Sequence, residues 1–401
     1  MKIAIWHNLP SGGGKRALYA HVRGLLEQGH TLEAWCPPTA NQQYLPLSKL
    51  IREHILPLHA PPKPRITAHV NGIEQRLVAM EQHCQACAEQ INRAGFDLVF
   101  VHPCQEFRSS PIGRFVQIPS VLFLQEPFRW LYEALPELPW RMPERGTQSA
   151  LAWIRRRIKD MLSVRQLRIQ AAAEYRNATF YRRILANSYF SRESILRAYG
   201  LDAQLCYLGI DTDLFIDQQR ERENLVLGVG AFTFEKNIHF VIDALGRVSD
   251  PRPHLVWIGN VANASYLSWL KQLAQERHVD FTALHMIPDE ELVAWLNRAY
   301  ALVYAPRLEP MGLAPIEANA CGTPAIGVAE GGVRESILHE QTGLLVDARP
   351  EAMAAAMQRL RDRPDYAHTL GQQGKQRAQT FWSIEAATQR LEAHLREVVQ
   401  I

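Results

Sequence analysis

No stretch of the 401 residues reaches about 18 uncharged apolar positions, the length a membrane-spanning helix needs, so no segment is expected to cross a bilayer. Cysteine is scarce. Six residues, at 36, 84, 87, 104, 206 and 321, are too few and too irregular for the disulfide framework of a small secreted domain. A reducing, cytoplasmic setting is the expected localisation. Charge of one sign is lacking too: 44 Lys and Arg against 41 Asp and Glu leave a net +3, without the chain-wide attraction to polyanions of a nucleic-acid binder. No nucleic-acid partner is expected. The opening Met1–His7 is too short an apolar run for the core of a signal peptide and meets Pro10 and Gly12 almost at once, so it reads as a first strand. What is present suits a soluble globular chain, 47% apolar and 21% charged, long enough for two or three domains.

Short apolar runs alternate with longer helix-patterned stretches, the signature of parallel strands joined by crossover helices. In the first half the strand candidates are residues 2–6, 31–36, 97–101, 120–124 and 184–186, with a helix after the Gly12-Gly13-Gly14 turn. In the second half they are 225–229, 254–258, 280–284, 301–304, 324–328 and 343–346. The charged, strand-poor interval near 205–224 places a boundary, giving an acceptor-binding domain over 1–205, a donor-binding domain over 206–380 and a C-terminal helix over 381–401 that packs back on the first. The expected fold is α/β, two Rossmann-like doubly wound parallel sheets facing across a cleft. Ligands of such sheets sit beyond the carboxyl ends of the strands.

The densest constellation is Ala305-Pro-Arg307-Leu-Glu309-Pro-Met311-Gly312-Leu313-Ala-Pro-Ile-Glu317-Ala-Asn-Ala-Cys-Gly322. It follows a strand, turns at Gly312 and opens a helix near Leu313. Such a turn lets backbone amides approach a ligand, and the helix start offers N–H groups to a phosphate. Glu309 and Glu317 are carboxylates that accept hydrogen bonds, which suits hydroxyl-rich ligands; each also has the plainer reading of a solvated charge.

The Glu309 to Glu317 spacing within Glu-Pro-Met-Gly-Leu-Ala-Pro-Ile-Glu-Ala resembles the hallmark of family 4 glycosyltransferases, a large retaining group with the GT-B fold. Asn187-Ser188, Gly209 to Phe215, Gly228-Val229-Gly230 leading to Glu235-Lys236-Asn237, Asp289 to Leu292 and Gly331 to Glu335 fit the same family in order. The resemblance implies a hexosyltransferase of polysaccharide biosynthesis. In it Glu317 meets the nucleotide ribose, Glu309 the transferred sugar, Gly312 and Leu313 the donor through backbone groups, and Lys236 the diphosphate, with Met311 in the same loop. It implies a nucleotide-diphosphate sugar as donor, with UDP-hexose the leading choice, a glycan, lipid-linked or small-molecule acceptor, and no metal cofactor. A catalytically weak or inactive sugar-nucleotide binder of the same fold is the alternative.

One departure stands out. Five residues before the lysine the family pattern has an arginine for the diphosphate, and here the position is Ala231. Arg307, or Lys15 or Arg16 beside the glycine turn, is the expected replacement. Gly12 and Gly13 are read as bringing main-chain N–H groups to the ligand, or as a helix-start turn without one; the nucleotide-hydrolase phosphate loop is excluded by Leu9 and Arg16. The family's histidine after the next strand is replaced by Gln125 and Glu126, the candidates at the reacting centre, with His102 behind them. Asp211-Thr212-Asp213 and the Cys84-x-x-Cys87 pair are read as structural rather than metal-binding, because the first sits in the interdomain segment and the second lacks two further ligands.

Residues 151–183 hold nine Arg or Lys against two acids, a local +7 that leaves −4 for the rest of the chain. Apolar residues at 151, 154, 158, 161 and 162 follow helical spacing, with Trp130, Trp140 and Trp153 nearby. Two readings stand: a helix packed on its domain with a solvated basic face, or one that makes peripheral contact with anionic lipid.

Overall fold

The computed structural model describes residues 1–59, 72–133 and 149–400, so Trp140 lies outside the described residues. The chain divides into two compact units, one formed by Met1–Cys206 with Arg390–Ile401, the other by Tyr207–Gln389. Among the described residues no helix is long and apolar enough to cross a membrane.

The first unit carries strands β1 (Lys2–Asn8), β2 (Thr31–Cys36), β3 (Arg52–Ile55), β4 (Leu98–Cys104), β5 (Ser120–Phe123), β6 (Arg183–Ala186) and β7 (Gln204–Leu205). They pair in parallel in the order β3-β2-β1-β4-β5-β6-β7. Its helices are α1 (Gly13–Glu27), α2 (Gly72–Arg93), α3 (Arg129–Tyr132), α4 (Ala150–Ala178) and α5 (Tyr189–Tyr199). Local chemistry sets the ends of α5: the Ser188 side chain accepts from the Ser191 amide at the start, and Gly200, at φ 65°, closes the end. Trp6, Trp35, Val99, Val101, Leu122 and Ile195 fill the core, each such burial contributing roughly 1.5–3 kcal/mol. Cys84 and Cys87 are free thiols in this core.

The second unit carries β8 (Glu223–Val229), β9 (His254–Gly259), β10 (Phe281–His285), β11 (Ala299–Tyr304), β12 (Ala325–Val328) and β13 (Gly343–Val346), parallel in the order β10-β9-β8-β11-β12-β13. Its helices are α6 (Ile238–Leu245), α7 (Ala264–Glu276), α8 (Asp289–Arg298), α9 (Ala314–Ala320), α10 (Val333–Ser336), α11 (Pro350–Asp362) and α12 (Pro364–Phe381). The last helix, α13 (Ile384–Gln400), is shared between the units, its residues from Arg390 belonging to the first. There Glu392 meets His30 at 2.9 Å, Glu397 meets Arg183 at 2.7 Å, and His394 donates to the Leu205 carbonyl at 3.0 Å.

Both sheets are doubly wound. In each the strand order reverses once, between β1 and β4 in the first unit and between β8 and β11 in the second. Chains leaving the carboxyl ends of those strands diverge to opposite sides and open a crevice, where ligands of such sheets bind. The two units are therefore α/β with wholly parallel sheets, as the strand–helix alternation implies.

Candidate active site

In the second unit the loop after β8 carries Lys236 and the loop after β11 carries Glu309, so the two residues straddle the reversal point. Lys236 Nζ donates to Glu309 Oε2 at 2.8 Å, and both side chains remain partly open to solvent, at 24% and 14%. The lysine stem crosses Gly230, whose missing side chain leaves room for it: a Cβ there would stand 3.3 Å from Lys236 Cγ and Cδ. Asn237 then takes the left-handed conformation (φ 56°), which asparagine tolerates better than most residues, and α6 begins. The loops are stitched together by the Arg307 amide, which donates to the Glu235 carbonyl at 2.9 Å.

The Glu309 loop rests on a second glycine pair. The Gly332 amide donates to the Glu309 carbonyl at 2.7 Å, and a Cβ on Gly332 would fall 2.0 Å from the Pro310 carbonyl oxygen, so no larger residue fits. Gly312 turns at φ 83° with Tyr304 directly beneath, 2.8 Å from where its Cβ would be. Leu313 opens α9, only seven residues long, and its carbonyl accepts from the Glu317 amide at 2.9 Å. Glu317 is 6% exposed and Met311 2% exposed, so the Met311 side chain is packing and offers a ligand its backbone alone. The solvated-helix reading of Glu317 therefore gives way.

Of the three candidates to replace the arginine missing at Ala231, Arg307 is the exposed one, at 55%, and its guanidinium meets Glu330 at 3.3 Å. Glu330 is a residue the sequence reading passed over. Its carboxylate also accepts from the Leu308 amide at 2.8 Å, where Leu308 holds φ 49°, so it braces the loop as well as the arginine. Only the Gly331-Gly332 doublet beside it hinted that this segment would be pressed against the Glu309 loop. Lys15 is a correction: it is fully buried in the first unit, with its Nζ lacking a hydrogen-bond partner, and burial holds its pKa below the ordinary lysine value. It has no surface to offer a diphosphate. Arg16 places its guanidinium 5.8 Å from the Tyr44 ring centroid.

The first unit gathers a second group of candidates at its own reversal point. Gly12 adopts φ 129° and Gly13 begins α1, so the glycine turn lies at the carboxyl end of β1. Gln125, just past β5, reaches that turn, its Oε1 standing 3.5 Å from where a Cβ on Gly14 would be. Its Nε2 is buried without a hydrogen-bond partner, an amide donor that the protein leaves unspent. Glu126 is tied down instead, to Arg108 at 3.4 Å and Arg129 at 3.5 Å. Its carboxylate oxygens are thus engaged by two guanidiniums within its own unit.

His102 is likewise corrected. It lies wholly within the core, T-shaped on Phe100 at 4.9 Å and stacked with Phe123 at 5.5 Å, because β4 is covered on both faces. Burial drives its pKa well below the ordinary value, with the nearby His21, His7 and Lys15 adding to the effect. Asp211 is structural, its Oδ1 accepting from the Asp213 and Leu214 amides at 3.1 and 3.3 Å.

Comparison with known proteins bears on the second unit above all. Residues 210–377 match the family model described as glycosyl transferases group 1. The alpha-1,3/1,6-mannosyltransferase ALG2 of Mus musculus is 27% identical over 194 residues, which cover 44% of this chain and 46% of that protein. The chain thus spans about half the length of this curated relative. Among solved structures, the sucrose-phosphate synthase of Thermosynechococcus elongatus superposes with a TM-score of 0.74 at 19% identity, over the whole of both chains. Anabaena HepE, solved in complex with UDP and glucose, does so with 0.72 at 16% identity, over 99% of this chain and 100% of that one. The fold is the one these GT-B structures share.

Proposed function

We propose that the chain is a family 4 glycosyltransferase that moves a hexose from a nucleotide-diphosphate sugar to a hydroxyl of a glycan, lipid-linked or small-molecule acceptor, with retention of anomeric configuration. The observation that carries this reading is the Lys236–Glu309 pair at the reversal point of the second sheet, beside the Gly312 turn. Breaking the bond between anomeric carbon and phosphate leaves negative charge on the diphosphate and positive character on the sugar, so the site has to offer a cation to one and acceptors to the other. Lys236 and Glu309 supply these from one place, with Glu317 as the acceptor for a ribose. Arg307 is drawn in as the second cation on release from Glu330, and the reaction needs no metal. In the first unit Gln125 and the Gly12-Gly13 amides are the groups offered to the reacting centre, and Glu126 acts by orienting Arg108 and Arg129.

UDP-hexose is the proposed donor, a choice favoured by the UDP and glucose bound by HepE. The proposed setting is cytoplasmic. Turnover of a radiolabelled nucleotide sugar by wild type and by Glu309→Ala tests the reading: transfer by the first and a loss of two orders of magnitude or more in the second are expected. Ala231 favours a second reading, a sugar-nucleotide binder with little turnover, and donor binding without transfer by the wild type would select it.

A further inference from the structure

The 29-residue helix α4 is two helices in its chemistry. From Gln170 onward it is rooted in the first unit: Gln170, Ala173, Glu174, Asn177 and Ala178 are buried. Asn177 donates to the Ser109 carbonyl at 3.0 Å, and the Tyr199 hydroxyl donates to Glu174 at 2.8 Å. From Ala150 to Ile169 no residue is buried. The first turns carry Leu151, Ile154, Ile158 and Met161, exposed at 60, 48, 51 and 68%.

At about 100° per residue these four fall on one stripe, and that stripe lies roughly 150° around the helix from the face by which residues 170–178 pack. The face that roots residues 170–178 therefore does not cover it, and the stripe stays exposed while Trp153, Arg157, Asp160 and Leu162 on the rest of the helix are half-buried. Arg155 and Lys159 border the stripe on one side and Arg157 on the other, the last with its guanidinium 4.7 Å from the Trp153 ring centroid. Asp160 is the one acid in the sequence between 150 and 173; helical spacing puts it on the side away from the stripe, where it is half-buried.

We propose that residues 150–162 form a docking arm for an anionic lipid surface. An apolar stripe edged on both sides by long cationic side chains matches the boundary between acyl chains and headgroups: the stripe enters the apolar region while the Arg and Lys stems reach back to the phosphates. A second copy of the chain is the poorer occupant, because antiparallel pairing of two such stripes sets cation against cation. The inference does not rest on sugar transfer, since vesicle binding is read without any donor, and failure of either leaves the other standing.

The test is co-sedimentation of the full chain with vesicles of phosphatidylcholine alone and of phosphatidylcholine with phosphatidylglycerol. Binding to the second and not the first, at about 0.05 M salt, with release at about 0.5 M, is expected. Replacing Arg155, Arg157 and Lys159 together by Gln is expected to lower the partition coefficient about 100-fold, roughly fivefold for each cation. The Ile158→Asp, Met161→Asp double variant is expected to abolish binding with its melting temperature unchanged, since both positions are exposed. The proposal is overturned if wild type stays in the supernatant, if either variant binds as wild type does, or if the double variant's effect is to dissociate a dimer, which would assign the stripe to a second copy.

Discussion

Lys236 Nζ and Glu309 Oε2 stand 2.8 Å apart although 73 residues separate them, because the loops that carry them leave neighbouring strands. Paired in this way, neither charge is left uncompensated in a half-buried position. Lys236→Ala is expected to weaken binding of a nucleotide diphosphate by about 10- to 100-fold, the loss of a charged hydrogen bond of roughly 1.5–3 kcal/mol. Calorimetric titration checks it. Glu309→Gln, which keeps size and removes charge, is expected to lower kcat more than it raises KM.

Restoring the arginine at position 231 gives a gain-of-function check. Ala231→Arg is expected to tighten UDP binding about tenfold, one bidentate phosphate contact being worth on the order of 1.5 kcal/mol. Arg307→Ala in the wild-type background is expected to weaken it by a similar factor, and in the Ala231→Arg background to matter less. A thermal-shift titration with UDP reads all three, since stabilisation follows ligand saturation. Additive effects of the two substitutions would refute a shared role.

Gly312 sits at φ 83° with Tyr304 pressed against it. Gly312→Ala adds a Cβ where 2.8 Å is available and forces a left-handed conformation on a residue that disfavours it. A stability loss of about 1–3 kcal/mol in urea unfolding is expected, with a larger loss of donor affinity, because the turn sets the Glu309 loop and the start of α9.

The first unit is expected to lose stability in acid through its buried histidines. Burial pushes the His21 pKa down to about 3 and lowers those of His7 and His102, and each would be protonated near pH 6.5 in the unfolded chain. The unfolded state therefore binds more protons below pH 6.5, so the stability these groups confer is complete above that value and is lost as pH falls from 6.5 towards 3. His21 alone accounts for on the order of 2 kcal/mol by pH 5. Glu174, whose pKa burial raises, works in the opposite direction. Urea unfolding of wild type and His21→Leu at pH 7 and pH 5 checks the sign: the variant is expected to lose less between the two.

Much of the architecture was legible in the residues themselves. Alternation of apolar runs with helical periodicity implied two wholly parallel sheets, since crossover helices leave strands few other ways to bury both faces. The Gly312 turn and the placement of Glu309 on a loop and Glu317 on a helix followed from local backbone chemistry, which acts over a few residues. Side-chain partnerships did not. That Glu330 holds Arg307, that Glu126 is bound by Arg108, that Lys15 and His102 are sealed in, and which face of α4 roots it in the first unit were decided by contacts between segments distant in sequence. Distances of that kind depend on strand order and on the side to which each crossover passes, and no spacing within a single segment encodes them.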